Sequence, residues 1–399
     1  MGGRGPYSVG PGQVGRELDA AEGRAGARVR QAWCDATGLR RAAEVLHVRR
    51  RYLSAEAARA IAVQIANATF AARSTELWGQ GPTAVAPDST HVRADDQNLF
   101  TEWHSRYGGR GVLIHGHVEK KSLAIHSRPI NCTAPEVAAM IEGAMRHGTT
   151  MDVEANYTDS RGQSDIGCGS TRLLNFDLLP RIKRINKVRL YRPVADEPDA
   201  YPQLTPALTR PIRWELIAQQ YDEMIKYATA IRTRTASTEA ILRRFTRNAS
   251  HPTYAAMLEV GRAQKTLFVA RCLRLRDLQR EVEKGLNVKE SSNGANSVIA
   301  YGKGGEIASN RCDEQEMFVL CRRIPQSALV YVNTLVLQNI LGEPKWADLL
   351  TPADRRGLAP LFWSRVRPYG EVDLDMDARL GLAAVKLPGP RVPTDAADL

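Results

Sequence analysis

The sequence predicts a mixed α/β fold with a large, all-helical insertion. Residues 111–132 alternate apolar and polar side chains with a period near two, which is typical of strands, and helical periodicity lies on both sides of them. From about residue 212 to residue 302 the pattern is helical and basic. The 399 residues are enough for two or three domains with a sizeable core.

The first part of the core follows from short local signals. Residues 54–73 predict a helix with Ser54 as its N-cap. The apolar stretch at 83–86 predicts a strand that ends at Asp88, where Pro87 interrupts it. Residues 119–122 predict the turn of a β-hairpin.

The sequence predicts further helices and strands of the core after residue 132. One predicted helix begins close to Glu290. The remaining predicted elements are a helix from Thr133 to Gly148, a strand over 149–158 that ends at Asp159, a helix over 163–174, a strand over 178–182 and a helix over 312–341. This order resembles a ribonuclease-H-like catalytic core with a helical insertion before its last catalytic helix.

Shifts in composition suggest domain boundaries along the chain. The predicted regions are a poorly ordered leader (1–40), a helical segment before the core (41–77), the core with two strand-end aspartates (78–195), the basic helical insertion (196–285), the end of the core with Glu290 (286–342) and a helical C-terminal region (343–399).

Composition narrows the class of protein. The chain has 55 Lys and Arg against 44 Asp and Glu, a net charge of +11, which favours a polyanionic partner; a basic protein without such a partner is the alternative. No run of about 18 apolar residues is present, which argues against a membrane-spanning helix. The six cysteines form no C-x-x-C pair, which argues against a zinc ribbon and favours a reducing, cytoplasmic setting.

Three carboxylates stand out by their positions, namely Asp88, Asp159 and Glu290. Phosphodiester transfer often uses two Mg²⁺ ions, and Mg²⁺ prefers carboxylate oxygens as protein ligands. Spacing alone is weak support, because 44 acidic residues offer many such triples and a strand-end Asp is more often a cap.

The residues around these acids resemble the Tn-three family of replicative transposases. The resemblance covers roughly residues 40 to 385, and its motifs are long and occur in the family's order. They are Trp78–Ser89 around the first acid, Asp96–Leu99, Arg106–Val112, His117–Ser122, Glu136–Gly143, Asn156–Ser164 around the second acid, Leu286–Glu290 and Asn293–Asn296 around the third, Tyr301–Ile307, and Pro368–Gly370.

This resemblance implies a DDE-type transposase with Asp88, Asp159 and Glu290 as its catalytic and metal-binding residues. The implied cofactor is two Mg²⁺ (or Mn²⁺) ions. The implied reaction is DNA cleavage at transposon ends, followed by attack of the freed 3′-OH on target DNA. The implied partners are terminal inverted repeats, target DNA and a second copy of the chain in a homodimer on paired ends. The implied location is the bacterial cytoplasm, at the nucleoid when DNA is bound, with no membrane partner.

Two other functions stay open at this stage. Family members are usually much longer, and Pro87 stands where they usually have Ser, so the chain could be a truncated, catalytically inactive DNA-binding remnant. A metal-dependent nuclease that cuts without joining is the third possibility.

Several residues compete with this assignment. Glu306 is the rival of Glu290, and Asp96 and Asp165 lie close in sequence to the first two acids. A zinc site formed by His115, His117 and His126 is disfavoured, because no further ligand is evident.

Basic residues are the candidate DNA contacts. They are Lys183, Arg184, Lys187, Arg243, Arg244, Arg247 and, within a glycine-rich run, Lys303. The alternative for each group is a solvated surface. Trp103 is a candidate for stacking on a base, or else a core residue.

Overall fold

The computed structural model describes residues 42–94, 101–105, 108–195, 201–300, 306–307, 309, 311–347 and 349–363. The helices are α1 (Ala42–Tyr52), α2 (Ala55–Ala72), α3 (Thr75–Trp78), α4 (Glu136–Met145), α5 (Asp165–Leu173), α6 (Trp214–Gln219), α7 (Tyr221–Thr233), α8 (Thr238–Arg247), α9 (Pro252–Arg274), α10 (Arg276–Ile299), α11 (Cys312–Leu341), α12 (Pro344–Ala347) and α13 (Pro352–Gly357). The strands are β1 (Ala84–Ala94), β2 (Glu102–His104), β3 (Gly109–Glu119), β4 (Ala124–Ile130), β5 (Ala155–Thr158), β6 (Asp177–Pro180), β7 (Leu190–Arg192), β8 (Leu208–Pro211) and β9 (Glu306–Ile307).

A mixed sheet lies at the centre of the fold, which confirms the predicted α/β class. Its strands follow the order β2-β3-β1-β5-β6, and β4 also pairs with β3. β3 is antiparallel to β1, β2 and β4, whereas β5 is parallel to β1 and to β6. The short strand β9 pairs in parallel with the far end of β1. β7 and β8 form a separate two-stranded sheet.

The central strand β1 is longer than the sequence predicts. The strand does not end at Asp88 but continues to Ala94, so that prediction was wrong. Its pairing with β3 runs without interruption from Val85 opposite Glu119 to Arg93 opposite Gly111. This long antiparallel pairing carries the strand past Pro87, although proline cannot donate a backbone hydrogen bond.

The two faces of the sheet are covered by different helices. Gly116 lies opposite Asp88 on β3, and a Cβ at Gly116 would be 3.1 Å from Nζ of Lys289 on α10. The next residue, His117, faces the other way, because side chains alternate along a strand. The ring of His117 contacts α4, where its Nε2 lies 2.9 Å from the Met140 carbonyl oxygen. Asp88 therefore lies on the face that α10 covers.

The segment predicted as an insertion packs tightly onto the core. Its helices α7, α8 and α9 bury Met224, Phe245 and Met257 in one apolar cluster, together with Met140 of α4 and Cys168 of α5. The segment is not entirely helical, because β8 lies within it. None of the helices in the described ranges is long and apolar enough to cross a lipid bilayer.

Candidate functional site

The first two predicted acids belong to neighbouring parallel strands. Asp88 lies within β1, and Asp159 directly follows the last residue of β5. The two strands pair at Ala84 with Ala155 and at Val85 with Asn156, and each acid follows its member of the first pair by four residues. We therefore expect the two acids to lie at a similar level, and both residues are partly buried.

Asp88 lies on the face that α10 covers, and we expect Asp159 to lie on the same face. On β5, Tyr157 packs against α10, where a Cβ at Gly285 would overlap the tyrosine ring. Asp159 follows Tyr157 by two residues, so continuation of the strand alternation puts it on the same face. The Tyr157 hydroxyl donates to Glu281 Oε1 of α10 at 2.5 Å, which fixes the helix against this strand.

A short chain of polar contacts joins α10 to Asp88. Asn293 Nδ2 donates to Asp88 Oδ2 at 3.2 Å, and Lys289 Nζ donates to Asn293 Oδ1 at 3.1 Å. Lys289 is 4% exposed, and this burial lowers its pKa to about 8, although the nearby Asp88 acts in the opposite direction. The buried ammonium thus offsets the negative charge of the carboxylate next to it.

Glu290 lies on the same helix, within α10 and not near its start as predicted. It precedes Asn293 by one helical turn, between the contact of Gly285 with β5 and that of Asn293 with β1. Its side chain is exposed. Within the described residues, no group of three or more His, Cys, Asp or Glu side chains is arranged to hold a metal ion. The structure therefore places Asp88 against the helix that carries Glu290 and Asp159 just after the neighbouring strand β5.

The donor chemistry of these acids still fits a divalent ion. Carboxylate oxygens are the ligands that Mg²⁺ prefers. Asp88 comes from a strand whose backbone is fixed by sheet pairing, and Asp159 directly follows its parallel neighbour. Glu290 is exposed on α10.

The competing acids are placed elsewhere. Glu306 pairs with Arg93, five residues along β1 from Asp88, which is about 16 Å at about 3.3 Å per strand residue. Asp165 accepts hydrogen bonds from Arg262 Nε and Lys265 Nζ, both at 3.2 Å, and so joins α5 to α9. Asp96 lies outside the described residues.

The three histidines form a buried row in the sheet. His115 and His117 have ring centroids 5.1 Å apart, and His117 and His126 have centroids 5.5 Å apart. Burial lowers the pKa of each imidazole, for His117 to about 3. His115 Nδ1 lies 2.8 Å from the Ser89 hydroxyl, next in sequence to Asp88.

The structure separates the two predicted basic groups. Lys183, Arg184 and Lys187 are exposed and follow β6, whose Pro180 pairs with the residue just before Asp159. Arg243, Arg244 and Arg247 lie on α8, whose Thr238 donates to Glu142 of α4 on the opposite face of the sheet. Lys303 lies outside the described residues. Trp103 is 62% exposed on β2, so it is not a core residue.

Sequence reasoning did not single out the residues that contact Asp88. Asn293 donates to this carboxylate and Lys289 donates to Asn293, but neither carries an obvious catalytic signature. Helical spacing was the one sequence signal that could have identified Asn293. It follows Glu290 by three residues, so the two residues lie on the same side of the helix.

Comparison with known proteins agrees with the resemblance in the motifs. The chain is 26% identical over 313 residues to the transposase for transposon Tn1546 of Enterococcus faecium, which covers 77% of this chain and 31% of that protein. It is 26% identical over 337 residues to the transposase for transposon Tn501 of Pseudomonas aeruginosa (82% and 32%). It is 24% identical over 335 residues to the transposase for transposon gamma-delta of Escherichia coli strain K12 (81% and 32%).

The chain thus spans about a third of the length of these curated relatives. No solved structure matches it. The family model described as the Tn3 transposase DDE domain matches residues 31–371, which is most of the chain. The chain therefore belongs to the Tn3 transposase DDE domain family.

Proposed function

We propose that this chain is the catalytic region of a replicative transposase, which cleaves DNA at transposon ends and joins the freed 3′-OH to target DNA. Asp88, Asp159 and Glu290 are the proposed catalytic and metal-binding residues. The observation that carries the proposal is the contact of Asp88, on the central strand, with Asn293 of the helix that holds Glu290, while Asp159 directly follows the parallel neighbour of that strand.

The sheet supports a ribonuclease-H-like core as part of this proposal. In such a core, a central strand has an antiparallel neighbour on one side and a parallel neighbour on the other. β1 has this place, with β3 antiparallel and β5 parallel to it, and β4 and β6 continue the sheet outward. A long helix, α10, then crosses the face that carries the acids.

The three carboxylates would hold two Mg²⁺ or Mn²⁺ ions. When bound, such ions neutralise charge at a phosphodiester and lower the pKa of the attacking hydroxyl or water. Asn293 keeps the Asp88 carboxylate in one orientation by donating to its Oδ2. Lys289 adds a buried positive charge next to Asp88 and reduces the repulsion between neighbouring carboxylates.

The basic groups would bind the DNA backbone. Lys183, Arg184 and Lys187 lie beside the strand that leads to Asp159, so they are suited to hold the strand that reacts. Arg243, Arg244 and Arg247 lie on the far side of the sheet, where they would bind a different DNA segment, such as the target or the second end in a homodimer. These contacts would operate in the bacterial cytoplasm, at the nucleoid.

The second candidate function is a catalytically inactive DNA-binding remnant. The observation that favours it is the exposed Glu290 side chain, which does not join the two aspartates in this structure.

A joining assay separates the two functions. The substrate is a pre-nicked, branched DNA that carries a transposon end with a free 3′-OH, incubated with Mg²⁺ or Mn²⁺. We expect joined strands from the wild-type chain and none from Asp159→Asn. The matched control is Asp277→Asn, because the Asp277 side chain is 97% exposed near the start of α10, where it pairs with Arg280. Equal DNA binding without joining in all three proteins would favour the remnant.

A further inference from the structure

A small cavity with several charged and polar side chains in its lining lies between α10, α11 and the sheet. Its volume is about 30 Å³, and its lining includes Thr90 of β1, Lys289 and Asn293 of α10, and Arg322 of α11. Since a water molecule needs about 10–15 Å³ of such volume, the cavity has room for about two water-sized groups. Asn293 also contacts Asp88, so the cavity adjoins the candidate active site.

Unsatisfied polar atoms converge on this cavity. Arg322 is 6% exposed, and its Nε and Nη1 have no hydrogen-bond partner. The Asn296 side-chain oxygen, the Ser127 hydroxyl and His126 Nδ1 also lack partners, and all three residues line the same space. Buried polar atoms in proteins are normally paired, so a cluster of unpaired ones indicates a missing ligand.

The charged side chains that line the cavity indicate that the missing ligand is an anion. Lys289, Arg322 and Arg323 all line it, whereas none of its described lining residues carries a carboxylate. The Arg323 guanidinium already has hydrogen-bond partners, because it donates to the carbonyl oxygens of Ala124 and Ile125. The Arg322 guanidinium lies over the Phe318 ring, with Cζ 5.5 Å from the ring centroid, but its Nε and Nη1 have no hydrogen-bond acceptor. A buried guanidinium in this state is costly unless an anion binds to it. Guanidinium is well matched to phosphate oxygens.

We propose that this cavity binds one backbone phosphate of DNA, with Arg322 as its principal ligand. The proposal rests on the proposed function, in which DNA lies at Asp88. The cavity accommodates the two non-bridging oxygens of one phosphate and excludes a base or a sugar. The unpaired Ser127 hydroxyl lines the same cavity and can donate a further hydrogen bond to these oxygens. A phosphate held here would fix the DNA strand next to the first carboxylate.

The first test uses inorganic phosphate as the probe, without DNA. At constant ionic strength, replacement of chloride by phosphate should raise the unfolding midpoint of the wild-type chain and leave that of Arg322→Met unchanged. Arg322→Lys should retain part of the response, because it keeps the charge. Arg271→Met, which removes an exposed arginine of α9, should respond like the wild type.

The stability of the variant separates a binding role from a structural one. Without phosphate, Arg322→Met should unfold at the same temperature as the wild type or higher, because an unpaired buried charge has been removed. A clearly lower midpoint for Arg322→Met, together with no phosphate response in Arg322→Lys, would overturn the proposal in favour of a structural arginine.

The second test identifies DNA as the source of the phosphate. With the branched DNA, the slope of log affinity against log salt should fall by about 0.9 in Arg322→Met, and Arg322→Lys should keep the wild-type slope. A phosphate response without a change in slope would assign the cavity to a free anion and overturn the DNA assignment. If phosphate does not raise the unfolding midpoint and the salt slope does not change, the cavity holds only water and the proposal is overturned. A wild type that binds DNA but joins no strands would contradict the proposed function and not the phosphate site.

Discussion

Asn293 Nδ2 donates a hydrogen bond to Asp88 Oδ2 at 3.2 Å, which joins the helix carrying Glu290 to the central strand of the sheet. The two residues are 205 positions apart in the chain. The segment between them folds back onto the sheet, so α10 reaches Asp88 across β5. This contact links Asp88 to the helix that carries Glu290, a relationship that the sequence alone does not show.

Loss of the Asn293 side chain should impair joining more than binding. Asn293→Ala frees the Asp88 carboxylate and leaves Lys289 Nζ without its Asn293 oxygen partner. Residues that orient a metal ligand typically affect activity or metal affinity by about 10- to 100-fold. We expect joining of the branched DNA to fall by about that factor, with DNA affinity unchanged. An equal loss of DNA affinity would show that Asn293 contacts DNA instead.

A larger residue at Gly285 should displace α10 from β5. A Cβ at Gly285 would overlap the Tyr157 ring, so Gly285→Ala should lower the free energy of unfolding by about 1–3 kcal/mol, the usual cost of overpacking. Joining should fall as well, because the displaced helix carries Glu290. Urea unfolding measures the first effect. Gly81→Ala is the matched control, since a Cβ there meets no atom within 4 Å.

The buried histidines should make the fold sensitive to acid. Burial lowers the pKa of His117 from 6.5 to about 3, so between these values the unfolded chain binds a proton that the folded chain does not. The stabilisation is complete above pH 6.5 and is lost as the pH falls towards 3. For one such group, the slope is about 1.4 kcal/mol per pH unit.

Urea unfolding at several pH values measures this slope. His117→Gln should reduce it by the contribution of one proton, and His47→Gln, at an exposed position, should not. Identical slopes for the wild type and His117→Gln would contradict this prediction, because they would mean that folding does not lower the pKa of His117.

The sequence predicted elements with strong local signals and missed those that depend on tertiary pairing. Ser54 caps α2 as expected, and the helix over 312–341 has the predicted bounds. Pro87 suggested the end of a strand, but pairing with β3 extends β1 beyond it. The helix expected to begin close to Glu290 begins at Arg276 instead. Gly285 lies inside this continuous helix and allows its close approach to Tyr157.

The same contrast applies to the candidate site. Sequence motifs identified Asp88, Asp159 and Glu290, but they did not predict which residues surround these acids. Arg322 lies in a helix whose periodicity predicts only a core element, so the sequence carries no signal that its Nε and Nη1 would lack hydrogen-bond partners in a cavity that Asn293 also lines. The separation of the two basic groups likewise depends on which face of the sheet each helix covers.

Direct metal binding tests the central claim, that Asp88, Asp159 and Glu290 together hold divalent ions. Calorimetric titration with Mn²⁺ needs no DNA and does not depend on end recognition. We predict binding by the wild-type chain, weaker by at least about 10-fold in Glu290→Gln and unaltered in Glu306→Gln, whose residue pairs with the far end of β1. Equal Mn²⁺ affinity in the wild type and Glu290→Gln, or a loss confined to Glu306→Gln, would contradict the account.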